Sequence, residues 1–152
     1  MKYGFWLPIF GGWLRNVENE NMPPTYAYAK EVIQKAEKWG YDTTLIAELY
    51  LNDIKGPEHD CLEAWTTAAA LGAVTEKIEI MTAVRPGFHN PAVTAKMAAN
   101  IDHISNGRFT LNVVSAWWEE EAGQYGGIFT EHDARYDRTE EFIQVLIGLW
   151  EK

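Results

Sequence analysis

Four times along the chain a short apolar run gives way to an irregular loop and then to a helical stripe, and no other feature restricts the fold as strongly. The first run covers residues 2–9. A loop rich in Gly, Asn and Glu leads from it to Pro23-Pro24, and a helix is expected from Thr25 to Trp39. Ala29, Val32, Ile33 and Ala36 share one face of it, and Gly40 stands as its stop. A second strand is expected over Thr43–Leu49, then a loop over 50–60. Asp60 with Glu63 reads as a capping-box variant opening a helix through Leu62, Trp65, Ala69 and Gly72. The third unit runs from a strand at Ile78–Val84 through Arg85-Pro86-Gly87-Phe88-His89 to Asn90 as N-cap, with Pro91 at the first helical position. Val93, Met97, Ile101 and Ile104 are its expected buried stripe, closed by Gly107. The fourth strand follows within 107–118, and after a loop of about 20 residues Asp137 and Glu140 open a last helix carrying Phe142, Leu146, Leu149 and Trp150.

Strands that alternate with helices through crossovers imply an α/β fold with a parallel sheet. An open doubly wound sheet and a (β/α) TIM-type barrel both satisfy that alternation. Long loops after the strands and short ones after the helices favour the barrel, where function collects at one end. A barrel needs eight units in about 250 residues. The 152 residues hold four, so the expectation is one domain, an N-terminal half-barrel, from a truncated or split form. Two open strand edges would invite a second copy, hence a homo-oligomer.

The formal charge of −9, from 13 Lys plus Arg against 22 Asp plus Glu, argues against nucleic acid or an acidic membrane as partner. Cys61 is the sole cysteine, which excludes an internal disulfide and fits a reducing compartment. The apolar N-terminus is broken by Pro8, Gly11 and Gly12 and has no signal-peptide layout, so a cytoplasmic protein is expected. Rossmann, Walker, zincin and Gly-x-Ser-x-Gly motifs do not occur. His103 is placed in the third helix and His59, His89 and His132 in loops, a scatter that leads to no expected metal site. Trp13, Trp117 and Trp118 fall near strand ends or in loops, where flat side chains cap a core or hold a planar ligand.

Three polar residues stand out. Asn112 sits inside the fourth apolar run and is either satisfied by neighbouring backbone or kept for a ligand, since a buried unpaired amide costs roughly 1–3 kcal/mol. Cys61 follows the expected cap Asp60, so a helix dipole favours its thiolate while Glu58, Asp60 and Glu63 oppose it; a packed small residue is the simpler reading. Arg85 ends the third strand on the face of Ala83. It could hold an anion or pair with Glu48 on the neighbouring strand, the pair being the simpler.

Gly107-Arg108 through Asn112-Val113-Val114-Ser115, then Glu131-His132-Asp133-Ala134-Arg135-Tyr136 and Glu140-Glu141-Phe142, resemble the flavin-dependent monooxygenases of the bacterial luciferase superfamily. Ala83-Val84-Arg85-Pro86-Gly87, Asn90-Pro91 and Cys61-Leu62-Glu63-Ala64-Trp65 agree. Alkanesulfonate and dimethyl sulfone monooxygenases look most similar. The resemblance implies a β/α barrel using reduced FMN (FMNH2) delivered by a flavin reductase, and O2, to cleave a carbon–sulfur bond of a small organosulfur substrate. It places Ala47, Glu48 and Ala83 along the flavin, Asn112 and Ser115 at its ring or ribityl chain, and Tyr136 towards its phosphate. Cys61 falls where alkanesulfonate monooxygenases have a cysteine associated with the oxygenated flavin. The family's second half-barrel has no counterpart here, which leaves open a non-catalytic, flavin-binding or oligomer-forming half-barrel.

Overall fold

Parallel pairing in strict chain order is consistent with the barrel type of α/β architecture. In the computed structural model, which describes residues 1–151, β1 (Gly4–Trp6), β2 (Thr43–Ile46), β3 (Glu79–Val84) and β4 (Phe109–Val113) form one sheet ordered β1-β2-β3-β4, every pair parallel. A doubly wound sheet reverses its strand order at a switch point, and this one does not. The helices α1 (Tyr26–Lys38), α2 (Ala64–Gly72), α3 (Pro91–Ser105) and α5 (His132–Trp150) pack on one another in sequence, α1 on α2, α2 on α3 and α3 on α5. They form one layer on one face of the sheet.

The strand register assigns the two faces. Thr44 pairs with Ile80 and Ile46 with Thr82, and these four, with Val84, are fully buried under the helices. The alternate set, Leu45, Met81, Ala83 and Asn112, faces the other way. That second face carries the site.

Several elements differ from expectation. The strands β1 and β2 are shorter, ending at Trp6 and Ile46. The helix α2 opens at Ala64 with Glu63 as its cap, whose carboxylate accepts from Trp65 N and Thr66 N at 2.7 Å. Asp60 is not the cap: its carbonyl is held by Asn52 at 2.9 Å, and Leu62 N donates to Ile9 O at 3.1 Å, so 60–62 stand outside the helix. On α3 the buried face is Thr94, Ala95, Ala98, Ile101 and Ser105, while Val93 and Ile104 are exposed. Small residues win that face because they let the helix approach its neighbours closely. The cap Asn90, with Pro91 after it, stands where expected.

The 20-residue loop contains a seven-residue helix, α4 (Glu119–Tyr125), and α5 begins at His132, earlier than expected, so His132 is helical. On α5 Phe142 and Leu146 are buried, whereas Leu149 and Trp150 are half exposed. The exit of α4 is pinned to the β3–α3 loop by Ile128 N donating to Gly87 O at 2.8 Å. A Cβ on Gly87 would stand 2.6 Å from the Ile128 carbonyl oxygen. Gly87→Ala is therefore expected to lower the urea midpoint by the equivalent of about 1–3 kcal/mol, while Gly123→Ala, with open space around it, stays near wild type.

Candidate functional site

At the C-terminal ends of the strands lies a cavity of about 330 Å³, lined from the strands by Trp6, Leu45, Ala83 and Asn112, from the residues just past β2 and β3 by Ala47, Glu48 and Arg85, and from the loops by Trp13, Ile54 and Trp117. Its size falls within the roughly 300–1,000 Å³ of small-molecule sites. Ala83 and Asn112 are register partners on adjacent strands, so a methyl and an amide stand side by side on the wall. The Asn112 amide makes no hydrogen bond among the described residues and is half-buried. Neighbouring backbone does not satisfy it.

Behind this wall lies a buried ionic cluster. Arg85 is 1% exposed; its backbone N donates to Glu48 Oε2 at 2.8 Å, its Nε lies 3.5 Å from the same oxygen, and its Nη1 is paired with Glu121. The ion pair with Glu48 thus forms, and Glu121 joins it. The other Glu48 oxygen is 2.6 Å from His89 Nε2. Glu121, from α4, also accepts from Tyr50 N at 2.5 Å and Leu51 N at 3.2 Å. The guanidinium lies over the Phe88 ring, 4.1 Å from its centroid, which shields it further. Burial, and next the Glu48 charge, push the Tyr50 phenol well above its usual value, so it stays neutral and is no base.

Two loops form the remaining wall, and two side chains join them. Asn52, fully buried, donates to Phe10 O at 2.8 Å and Asp60 O at 2.9 Å, and accepts from Ile54 N and Lys55 N. Lys55 reaches Leu14 O, Val17 O and Glu20. At the rim Arg15 pairs with Asp53. These contacts hold Trp13, on the β1–α1 loop, against the cavity.

The other sequence candidates lie apart from this cavity. Ser115 bonds Thr139 at 2.8 Å in a corner with Gly87 and Arg138 whose free volume, about 10 Å³, is at the limit for one water. Tyr136 is 57% exposed on the first turns of α5, its ring 4.9 Å from that of His132. Cys61 is half-buried, its sulfur 3.7 Å from Tyr50 O. With α2 starting at Ala64 it sits outside the helix N-terminus, so no dipole favours the thiolate. Burial, and then the charges of Glu121 and Asp60, push its thiol above the ordinary value. Alkylation by iodoacetamide across pH is expected to show an apparent pKa above that of free cysteine; one at or below it would contradict the geometry. Because the folded thiol holds its proton more tightly than the unfolded one, its contribution to stability is complete below about pH 8.5 and falls above it.

Glu121, Asn52 and the Lys55–Glu20 contact were not foreseen from sequence. Glu121 is masked by the run Glu119-Glu120-Glu121, which reads as a solvated face; the Ala122 that follows it and the Gly126-Gly127 stop were the available signals of a short helix.

Comparison with known proteins decides the family. All 152 residues match the family described as luciferase-like monooxygenase. The chain belongs to that family. Among its luciferase-like relatives, the pyrimidine monooxygenase RutA of Allorhizobium ampelinum is 40% identical over 99% of this chain and 42% of its own length. The FMNH(2)-dependent dimethylsulfone monooxygenase of Pseudomonas putida is 34% identical over 99% of this chain and 41% of its own. The chain spans about two fifths of the length of these curated relatives. Among solved structures, the EDTA monooxygenase EmoA from Chelativorans sp. BNC1 superposes with a TM-score of 0.84 at 23% identity, covering 99% of this chain and 36% of that one. Riboflavin lyase RcaE, solved with a modified FMN and riboflavin, gives 0.82 at 24% identity, covering 99% and 38%. At these identities the structures speak to the fold alone. Among the described residues no helix is long and apolar enough to cross a membrane.

Proposed function

We propose that this chain is the N-terminal half of a luciferase-like β/α barrel, and that the barrel is an FMNH2-dependent monooxygenase acting on a small compound with O2. One observation carries the reading: the unpartnered Asn112 amide beside Ala83 on the wall of a cavity at the strand ends. The donor set fits a flavin. Small side chains at 47 and 83 let a flat ring lie against the sheet, and an uncharged amide meets its polar edge without burying a charge. Ala47, Glu48 and Ala83 would line the ring, with Asn112 bonding it. Ser115 and Tyr136, beyond the end of β4, are assigned to the ribityl chain and phosphate. Bound reduced FMN supplies the electrons that activate O2, and a flavin reductase is the expected source of it. This chain's part is to orient the ring and to exclude water with Trp6, Trp13 and Trp117. The outer edges of β1 and β4, unpaired among the described residues, suit closure by a further half-barrel or a homo-oligomer. Cys61 is retained as a neutral thiol near the loop wall.

A small organosulfur substrate, cleaved at a carbon–sulfur bond, draws support from the dimethylsulfone monooxygenase, and a pyrimidine from RutA. Oxidation of dimethyl sulfone or uracil in the presence of reductase, NADH, FMN and O2 tests the activity. A second reading is flavin binding or assembly without catalysis; saturable FMN binding with turnover of neither compound would select it. Asn112→Ala is expected to weaken reduced-FMN binding about tenfold, the worth of one hydrogen bond, and unchanged affinity would remove Asn112 from the site.

A further inference from the structure

Among the described residues six buried side-chain nitrogens and oxygens have no hydrogen-bond partner, and three of them belong to residues that line the strand-end cavity: Trp13 Nε1, Arg85 Nε and Arg85 Nη2. All three are N–H donors. A buried donor without an acceptor is costly, more so on a charged group, and native structures keep few of them. Arg85 is 1% exposed, so bulk water does not serve its free N–H groups. Its neighbours decide which N–H groups stay free. Nη1 is paired with Glu121, the backbone N donates to Glu48 Oε2, and Nε, 3.5 Å from that same oxygen, makes no hydrogen bond to it. What remains, Nε with Nη2, is one edge of the guanidinium, whose parallel N–H groups suit two adjacent acceptors. Glu48 is held on its other oxygen by His89, and Glu121 by Tyr50 N and Leu51 N, so neither carboxylate is free to turn to that edge. Two carboxylates against one guanidinium leave no net positive charge behind the wall. The free edge therefore acts by direction, on a pair of neighbouring acceptors, rather than by drawing in an anion.

We propose that this edge of Arg85 holds the flavin ring, Nε and Nη2 donating to the ring nitrogen N1 and the C2 carbonyl oxygen. The proposal rests on the reading of the cavity as the flavin site and adds a second donor to Asn112. A flavin ring has two places where a nitrogen stands beside a carbonyl oxygen, N1 with C2 and N5 with C4, and groups near N1 and N5 tune its chemistry. On reduction N5 gains a hydrogen and ceases to accept, whereas N1 of the anionic reduced ring and the C2 oxygen remain acceptors. A double donor in a site for the reduced ring thus matches the N1 side. Arg85→Lys isolates this role, because lysine keeps a charge for Glu48 and Glu121 but has no second pair of parallel N–H groups.

Three ligands test it: FMN, 1-deaza-FMN, in which a CH group replaces N1, and 5-deaza-FMN, in which a CH group replaces N5. Each is titrated by calorimetry into the chain and into Arg85→Lys, with circular dichroism confirming the fold. Wild type is expected to bind 1-deaza-FMN about tenfold more weakly than FMN, the worth of one charge-assisted hydrogen bond, and 5-deaza-FMN within about threefold of FMN. Arg85→Lys is expected to bind FMN about tenfold more weakly and to lose the distinction between FMN and 1-deaza-FMN, which a general loosening of the site would leave in place. In wild type the nitrogen–proton resonance of Arg85 Nε is expected to shift when FMN binds, and this readout decides the matter if the variant does not fold. Equal wild-type affinity for FMN and 1-deaza-FMN, a distinction that survives in folded Arg85→Lys, or an Nε resonance unmoved by FMN would overturn the proposal and leave the flavin reading standing. Absence of FMN binding to wild type would overturn both.

Discussion

Glu121→Ala is expected to destabilise the chain by about 3–5 kcal/mol, the range for breaking a buried ion pair by removing one partner. Glu121 is fully buried and serves three groups on two other segments: the Arg85 guanidinium, Tyr50 N and Leu51 N. Its loss leaves Arg85 with Glu48 alone and two backbone donors without an acceptor. It also releases α4, whose Tyr125 hydroxyl donates to Tyr50 O at 3.2 Å. Glu120→Ala, one residue away and exposed, stays within about 0.5 kcal/mol of wild type. Urea denaturation of the two variants reads the difference directly. Equal midpoints would mean that Glu121 is as solvated as its neighbours.

Asn52→Ala is expected to cost about 3 kcal/mol, because two carbonyls and two N–H groups lose their partner at once in a site that is fully buried. Its functional effect follows from position. Asn52 joins the β1–α1 loop, through Phe10, to the segment that carries Asp60 and Cys61, so its removal loosens the wall that holds Trp13. Weaker FMN binding should accompany the lower stability, and Cys61 should alkylate faster under native conditions. Asn52→Asp keeps the acceptor but sets a carboxylate against two carbonyl oxygens, so it is expected to do no better than alanine. A variant with native stability and unchanged thiol reactivity would contradict the role of Asn52.

The alternation of strands and helices was legible because the strands are rich in apolar and β-branched residues and two of the helices have a start signal, Thr25 for α1 and Asn90 with Pro91 for α3, whereas α5 has no side-chain cap and its start was placed too late. The third helix shows where periodicity misleads: Val93 and Ile104 are more apolar than Ala95 or Ala98, yet close packing against the adjacent helices favours the small residues. The start of α2 was misplaced because Asp60 and Glu63 have capping-box spacing, while the Asp60 carbonyl is bound elsewhere. On the cavity wall Arg85 could be placed on the face of Ala83 from strand phase, while Ala47, Glu48, Ala83 and Asn112 were placed by the family resemblance. Glu121 and the inter-loop bond of Asn52 could not be placed, since Tyr50 lies 71 residues from Glu121 and Phe10 lies 42 from Asn52, and the local turn contacts of Asn52 to Ile54 and Lys55 do not point to it.

The measurement that tests the account most directly is titration of the chain with anaerobically reduced FMN, followed by fluorescence, with solution mass recorded alongside. The account predicts saturable binding at one flavin per chain in a species of defined mass, weakened by Asn112→Ala. A chain of defined mass that shows no saturable binding would contradict the assignment of the strand-end cavity to the flavin.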